Sequence, residues 1–597
     1  MGLSNLFASR LLGGRTESVH DYAGVLVSLE EAHLHSHSAR TGKCEFEEVR
    51  EDDEEQESDR LVDEEGAAKD GEHEDNEEGA GMLQMSAAEY SIEGLRRAVR
   101  KDERGQKATE YELKSKLINK AIQDIGMGKY NWQLFVLCGF GWFADNLWMQ
   151  GISLTLPSLS QEFDISEKRV RYTTSALFVG LCIGSFFWGL GADILGRRVA
   201  FNLTLLITSI FGTWAAYGSS WGWTCVLFAC MGTGVGGNLP VDGALFLEFL
   251  PDASSALLTL LSVWWPVGQL ASSLAAWYFI TTRPVDEGWR SFVFAIGVVT
   301  FVMFLIRFFI FHLLESPKYL LSKGRQAEAV AVVHAIAYRN GAKTWLTEEI
   351  LDAVAETEAT AEPVTRLSTR NIIRQNLSAF SGDHLRPLFN NRKLGMATIL
   401  IWFCWATIGL GYPLFNAFLP QYLSHGGASP PSDTDSTVAG ADSATTYRNY
   451  AIISMVGVPG SLLAAYTVDH KSPYLGRKGT LAIATLVSAI FLFFFVTFGT
   501  TPNSQLFFTC VEAFTQNIMY GVLYAFTPEI FPAPVRGAGT GVASFLNRMT
   551  GLVAPVLAAT IPGDGTKLPI YLSAILILAA FGGMCLIPIE TRGRQRL

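Results

Sequence analysis

The sequence predicts an all-α membrane protein: twelve transmembrane helices in two pseudo-symmetric six-helix halves, with both termini cytoplasmic. Three observations predict it. Mostly apolar stretches of about 18 residues or more recur from Trp132 to Ile587. Three charged motifs repeat in order at a common offset. Basic residues crowd alternate loops.

The apolar stretches run roughly 132–158, 173–191, 199–217, 223–250, 257–280 and 289–313, then 393–418, 449–468, 479–498, 505–527, 537–560 and 568–588. Mean hydropathy is +0.23. Lipid offers the backbone no hydrogen-bond partners, so spans of this length must be helices.

The repeat is read from three pairs. Gly189–Arg198 reads GLGADILGRR and Asp469–Lys478 reads DHKSPYLGRK, with Asp193 and Asp469 276 positions apart. Glu248-Phe-Leu-Pro251 is echoed by Glu529-Ile-Phe-Pro532, 281 positions on, and Glu315 by Glu590, 275 positions on. One basic loop beside a membrane helix is ordinary. Three at a common offset indicate a duplicated unit of about six spans, as in many secondary carriers.

The net charge of −11 misleads. Between Glu45 and Ala80 stand 19 Asp and Glu against Arg50, Arg60 and Lys69, a local −16 that leaves +5 on the rest. That surplus lies before the first stretch (Arg96, Arg97, Arg100, Lys101, Lys114, Lys116, Lys120), at Arg197 and Arg198, in the central loop, at Arg477 and Lys478, at Arg536 and at the end. Loops 217–222 and 499–504 have no basic residue, while Lys168, Arg169 and Arg171 are an exception in the first outer loop. The positive-inside rule then places both termini in the cytoplasm. Met1–Arg10 lacks the sustained apolar run of a signal peptide, and Leu6 stands where myristoylation requires Ser or Thr. Seven of eight Cys lie in apolar stretches, so no disulfide framework is implied. The expected location is an integral multi-pass one, the plasma membrane ahead of an internal membrane.

Five regions follow. Residues 1–130 form an acidic cytoplasmic tail, largely disordered because Glu45–Ala80 cannot build a core. Within it, 91–124 has amphipathic helical spacing, and a metal site at His33, His35 and His37 lacks further ligands. Residues 131–313 form the first half, 314–392 a cytoplasmic helical linker with helix formers at Gly324–Asn340 and Thr347–Thr357, 393–588 the second half, and 589–597 a short tail. Ser424–Arg448 reads as a flexible outer loop. Deleting Met1–Gly81 is expected to leave uptake kinetics nearly unchanged.

At this point residues 130–595 resemble the major facilitator superfamily, and within it the sugar-porter and synaptic-vesicle-glycoprotein-like branches. The motifs are GLGADILGRR (189–198), GTGVGGNLPVDGALFLEFLP (232–251), ESPKYLLSKGR (315–325), PEIFPAPVRGAGTG (528–541) and IETRGR (589–594). The resemblance implies alternating access, with two halves rocking around a site near the bilayer midplane. Asp193, Arg197, Arg198 and Glu248 would then form a cytoplasmic charge latch in the first half. Asp469, Arg477, Lys478, Glu529 and Arg536 would form its counterpart, with Glu315 and Glu590 meeting the latch from loop and tail. Pairs that close on one side and part on the other make a bistable switch; the plainer alternative is anchoring of helix ends at the headgroups. The chain departs from the family at Ile194, where Arg or Lys is common, and at Ser255, which faces Arg536 in the alignment of halves.

Ionisable groups inside the apolar stretches are costly and mark a pathway or a pair. Asp145 lies midway along the first, where burial favours its neutral form and the resemblance places a proton-titrating Asp. A structural hydrogen bond to a neighbouring helix is the alternative. Phe228 stands where sugar porters carry the Arg that trades with that Asp, so coupling uses another partner or the carrier is a facilitator. Asp242 and Glu512 are further proton-coupling candidates. Arg548, near the middle of the eleventh stretch, needs an anion: Glu512, Asp145, or a carboxylate or phosphate on the substrate. Arg307 could snorkel. Trp264, Trp265, Gln269, Tyr412, Asn416, Gln516, Asn517 and Tyr520 are candidate cavity residues, a mixture suited to a polar organic solute with a ring or apolar portion. Gly232, Gly234, Gly236 and Gly237 read as close helix packing rather than a nucleotide loop, lacking the strand and the Lys-Ser/Thr ending. Asn238, where related phosphate carriers have Asp, counts against inorganic phosphate.

The expected function is a secondary, proton-coupled transporter of a small polar organic solute. The alternatives are an exporter or facilitator of a metabolite, or a non-transporting nutrient sensor on the same scaffold. No ATP-binding loop, zinc motif or nucleophile constellation appears, so no enzyme, catalytic residue, metal or cofactor is expected. Expected partners are the lipid bilayer, the solute and protons, with no nucleic acid; the protein is expected to be a monomer.

Overall fold

The computed structural model describes residues 17–22, 24–35, 90–100, 110–251, 256–311, 313–355, 386–389, 391–417, 419, 438–468, 470, 475–531, 533–560 and 567–589. Among them all regular structure is helical, apart from one parallel bridge between Leu26 and Thr344. The acidic stretch Glu45–Ala80 and His37 lie outside the described residues, and no group of metal-ligating side chains appears among those described.

Twelve described helices reach 19 residues or more. They are α1 (Lys129–Glu162), α2 (Tyr172–Leu195), α3 (Arg197–Ala215), α4 (Trp221–Phe249), α5 (Trp264–Thr282), α6 (Val285–Leu305), α7 (Arg392–Asn416), α8 (Val438–Thr467), α9 (Gly476–Phe498), α10 (Pro502–Ile530), α11 (Ala533–Thr560) and α12 (Leu568–Leu586). Ten are long and apolar enough to cross a membrane. The two that fall short are α1 and α10, and the cause is chemical. Asn131, Gln133, Asp145, Asn146 and Gln150 dilute α1, and Gln505, Thr509, Glu512, Gln516 and Asn517 dilute α10.

The helix ends correct one expectation. Ser424–Arg448 is not loop throughout, since α8 begins at Val438. The run Val438-Ala-Gly-Ala-Asp-Ser-Ala444 contains good helix formers, and propagation from a long helix costs little once it is nucleated.

Contacts divide the chain into two units. The larger covers residues 134–247, 255–313 and 368–597 and holds the apolar helices. Within it α5 packs on α8 and α2 on α11, while α3 packs on α6 and α9 on α12. Advancing each helix number by six maps one member of each couple onto the other, so the duplication read from the motifs is also a duplication of contacts. The glycines of the fourth stretch are packing residues: a Cβ at Gly236 would sit 2.4 Å from the Leu181 carbonyl oxygen, and one at Gly180 2.0 Å from that of Ala229. Small residues bring α2 and α4 together backbone to backbone, as membrane packing favours.

The smaller unit gathers residues 1–133, 248–254 and 314–367. The amphipathic tail segment forms two helices, Ile92–Arg100 and Glu110–Ile125, and the linker forms Pro317–Ser322, Gln326–Asn340 and Glu348–Ala355. Leu113, Leu117, Ile118, Ala121, Ile122 and Ile125 are all buried, the face that the spacing marked. Buried Lys114 donates to Asp352 at 2.7 Å and Gln326 at 2.8 Å and pairs with Glu110 at 2.6 Å. Burial pulls its ammonium down, but the carboxylates of Asp352 and Glu110 outweigh this and hold its pKa above the ordinary lysine value. Trp345 Nε1 and the Tyr90 hydroxyl both donate to Asp124, at 2.7 and 2.9 Å. A segment that composition did not single out also docks. Val27 N donates to Thr344 O and Thr344 N to Val25 O, both at 3.0 Å, with Val25, Val27 and Ala32 buried. The described part of the tail is therefore built into the linker bundle.

Candidate functional site: a charged, aromatic cavity

Four of the polar residues that dilute α1 and α10, Asp145, Asn146, Gln516 and Asn517, meet at one cavity in the larger unit. Its volume is about 90 Å³, room for several waters or a small solute. Its walls come from both halves: α1, α2, α4 and α5 on one side, α7, α10 and α11 on the other. Helical spacing sets the lining. Trp265 and Gln269 lie one turn apart on α5, and Gln516, Tyr520 and Tyr524 follow at successive turns on α10.

One part of the cavity is charged. Asp145, 3% exposed, accepts from Asn238 Nδ2 at 2.9 Å. Arg548 on α11 lines the same cavity, and its Nε has no hydrogen-bond partner among the described residues. No ion pair joins Arg548 to Asp145 or Glu512 among the described contacts, so the two protein anions expected for it are not bonded to it here.

Another part is aromatic. Trp265 stacks on Trp142 with centroids 4.7 Å apart, and Tyr524 and Tyr520 meet Trp265 edge-on at 5.0 and 6.1 Å. Tyr412 meets Tyr520 edge-on at 5.3 Å. Amides complete the wall. Gln269 Nε2 donates to Asn146 Oδ1 at 2.9 Å and to the Tyr412 hydroxyl at 3.4 Å, a bridge from α1 through α5 to α7.

Of the expected cavity residues, Asp145, Arg548, Trp265, Gln269, Tyr412, Gln516, Asn517 and Tyr520 line it. Two do not. Trp264 packs against Phe135 and Phe140, at 6.4 and 6.3 Å, because one residue along a helix is turned by about 100° from Trp265. Asn416 stands behind the wall, donating to Gln516 Oε1 at 3.1 Å. Sequence reasoning missed Asn146, Asn547 and Tyr524. The first two adjoin Asp145 and Arg548, and the third falls one turn after Tyr520, so adjacency and helical spacing would have found them.

Asp242 and Arg307 lie off the cavity and bind each other. Arg307 does not snorkel: it is 1% exposed, and its Nη2 meets Asp242 Oδ2 at 2.7 Å. Its Nε and Nη2 donate to Leu137 O at 2.9 and 2.6 Å, its Nη1 donates to Phe201 O at 3.0 Å, and its guanidinium lies 3.7 Å from the Phe201 ring centroid. These contacts tie α1, α3 and α4 to the turn that follows α6. Glu512 is 2% exposed and also off the cavity.

Of the latch residues, Arg477 Nε lies 2.6 Å from Glu529 Oε2, both side chains nearly buried, and Lys478 Nζ donates to Ile587 O at 2.6 Å. Arg197 and Arg198 are half-buried at the start of α3, while Glu248 and Glu315 belong to the smaller unit. Asp469, Glu590 and the side chains of Asp193 and Arg536 lie outside the described residues. The two motif loops share one backbone device. Gly196 has φ +104° and Gly476 +88°, each where the chain turns into the next helix. A side chain is strained there, which is why each repeat carries Gly before its basic pair.

A cavity walled by long helices from two duplicated halves, carrying both an acid and a guanidinium, in a molecule with ten helices long and apolar enough to cross a membrane among the described residues, is the architecture of a multi-pass membrane transporter. The Major Facilitator Superfamily pattern matches residues 134–555, and the chain belongs to that family. It is 42% identical over 534 residues to "MFS siderochrome iron transporter 1" of Ceriporiopsis subvermispora, covering 87% of this chain and 99% of that one. It is 27% identical to the synaptic vesicle 2-related protein of Bos taurus, over 80% of this chain and 82% of the relative. The structure of the proton:xylose symporter XylE from E. coli, bound to 6-bromo-6-deoxy-D-glucose, shares the fold at 18% identity and a TM-score of 0.56, covering 78% of this chain and 98% of that one. The chain is thus a transporter of the Major Facilitator Superfamily and not an enzyme.

Proposed function

We propose that this chain is a proton-coupled carrier of a small organic anion with a ring or apolar portion, working by alternating access through twelve spans with both termini cytoplasmic. The carrying observation is that Asp145 and Arg548 face one cavity with no bond between them. A guanidinium in a membrane cavity calls for an anion, and a substrate carboxylate or phosphate supplies it. Trp265, Tyr520 and Tyr524 give the ring flat and edge contacts, and Gln269 and Asn146 take its polar atoms. Asp145 serves as the proton site, neutral when sealed and ionised when water reaches it. Counting α1 and α10 as spans completes two sets of six, with Asp145, Asn146, Gln516 and Asn517 tolerated there because they face the cavity rather than lipid. Arg477–Glu529 serves as the cytoplasmic latch of the second half.

The siderochrome transporter relative favours a second reading, an iron chelate as cargo. The cavity's size speaks for a smaller solute in the conformation described. A thermal-shift panel of ring carboxylates, sugars, amines and a ferric siderophore on purified protein separates the readings. In liposomes with an imposed proton gradient, the parent should accumulate the stabilising solute. Asp145→Asn should lose concentrative uptake while partly retaining solute exchange, and Asp145→Glu should keep some activity with a shifted pH optimum. If the Asn variant concentrates solute like the parent, Asp145 is structural. Binding without flux in the parent would make the protein a sensor.

A further inference from the structure

The helix that supplies Gln516, Asn517, Tyr520 and Tyr524 to the cavity wall carries a second acid the preceding reading does not use. Glu512 lies one helical turn before Gln516 on α10, is 2% exposed, and its Oε1 has no hydrogen-bond partner among the described residues. The three intramembrane carboxylates are treated differently by the fold. Asp242 is bonded to Arg307, and Asp145 accepts from Asn238 and shares its cavity with Arg548. Glu512 has no ion pair among the described residues. Among the described residues, the titratable groups within its electrostatic reach are the phenols of Tyr412 on α7, Tyr450 on α8 and Tyr520 on its own helix. The Tyr450 hydroxyl is likewise buried without a partner. A carboxylate sealed from water with no cation takes up a proton rather than remain charged.

Glu512 also lies on a line. Gln505, Thr509, Glu512 and Gln516 are all buried and follow one another at spacings of four, three and four, a single stripe on one face of α10. The stripe runs from near the start of the helix, after the uncharged loop 499–504, to the cavity wall at Gln516. Tyr412 and Tyr520, whose phenols lie within the electrostatic reach of Glu512, line that cavity too.

We infer that Glu512 is a second proton-binding site of the carrier, loaded along the α10 stripe and exchanging with the cavity past Tyr412 and Tyr520. The step is a protonation: a proton from water joins a carboxylate oxygen as the acid fills, and returns to water as it empties. The inference rests on the proton-coupled reading above.

Parent, Glu512→Gln and Glu512→Asp are compared in proteoliposomes carrying an internal pH dye, using the solute identified by thermal shift. The Gln variant should bind solute, yet its proton-driven accumulation should fall about tenfold or more; the Asp variant should stay coupled with a displaced pH optimum. Infrared difference spectra on solute addition should show a protonated-carboxyl stretch in the parent that Glu512→Gln lacks and Asp145→Asn retains. If the Gln variant unfolds, the Asp variant and the infrared band decide. A Gln variant with the parent's pH profile and protons per solute overturns this inference and leaves the proposed function standing. A parent that moves solute without protons overturns both.

Discussion

Under the proposed function, the guanidinium that lines the cavity is the residue that most constrains the solute. Arg548 has the fixed fork that recognises a carboxylate, whereas a lysine supplies only a point charge. Arg548→Gln should weaken solute binding by about 30- to 100-fold, the worth of a charge-assisted hydrogen-bonded pair of roughly 2–3 kcal/mol. Arg548→Lys should restore part of that loss. Calorimetry on purified protein measures both, and unchanged affinity in Arg548→Gln would show that the anion is held elsewhere. Asp145 and Arg548 stood out in the sequence because an ionisable group in an apolar run is costly and marks a pathway or a pair. Trp264 and Trp265 were not separable there, since facing cavity or neighbouring helix is a matter of helix rotation. Asn146 and Asn547 could have been found by their adjacency to Asp145 and Arg548, both of which line the cavity.

The Asp242–Arg307 staple shows how helices α1, α3 and α4 are held to the turn after α6. Breaking a buried pair by removing one partner leaves the other uncompensated, at a cost of about 3–5 kcal/mol. Asp242→Asn should therefore lower thermal stability in detergent markedly, and Arg307→Met combined with Asp242→Asn should recover much of the loss. A single variant as stable as the parent would mean that the carbonyls of Leu137 and Phe201 suffice for the guanidinium. Sequence placed both charges in spans but not against each other, because 65 residues and two helices separate them. The same limit explains α1 and α10. Their apolar stretches were visible, yet their mean hydropathy is lowered by side chains whose burial on the inner face only the assembled bundle reveals.

On the scale of the whole molecule, the described part of the tail adds a docked segment that composition did not single out. Residues 24–35 dock on the linker through two backbone hydrogen bonds and the buried Val25, Val27 and Ala32, worth about 2–4 kcal/mol together. Deleting residues 1–35, or Met1–Gly81, should lower the melting temperature of the smaller unit. Deleting 36–80 should leave it unchanged, and uptake kinetics should follow stability in each case. Equal melting of all three deletions would show that the docked segment contributes nothing in solution.

The sequence by itself determined the helical membrane class, the duplication, the family and the acid and guanidinium of the site. Those rest on local hydrophobicity, on motif order, and on the cost of charge in lipid, all properties of residues one at a time or in short runs. The tertiary structure decided which charges bond, which line the cavity and which stand sealed. Asp242, Asp145 and Glu512 look alike in the chain, an acid within an apolar stretch. Only the positions of Arg307, Asn238 and three tyrosines on other turns and helices make one a staple, one a cavity acid and one an unpaired group, because electrostatic partners are chosen by distance in space.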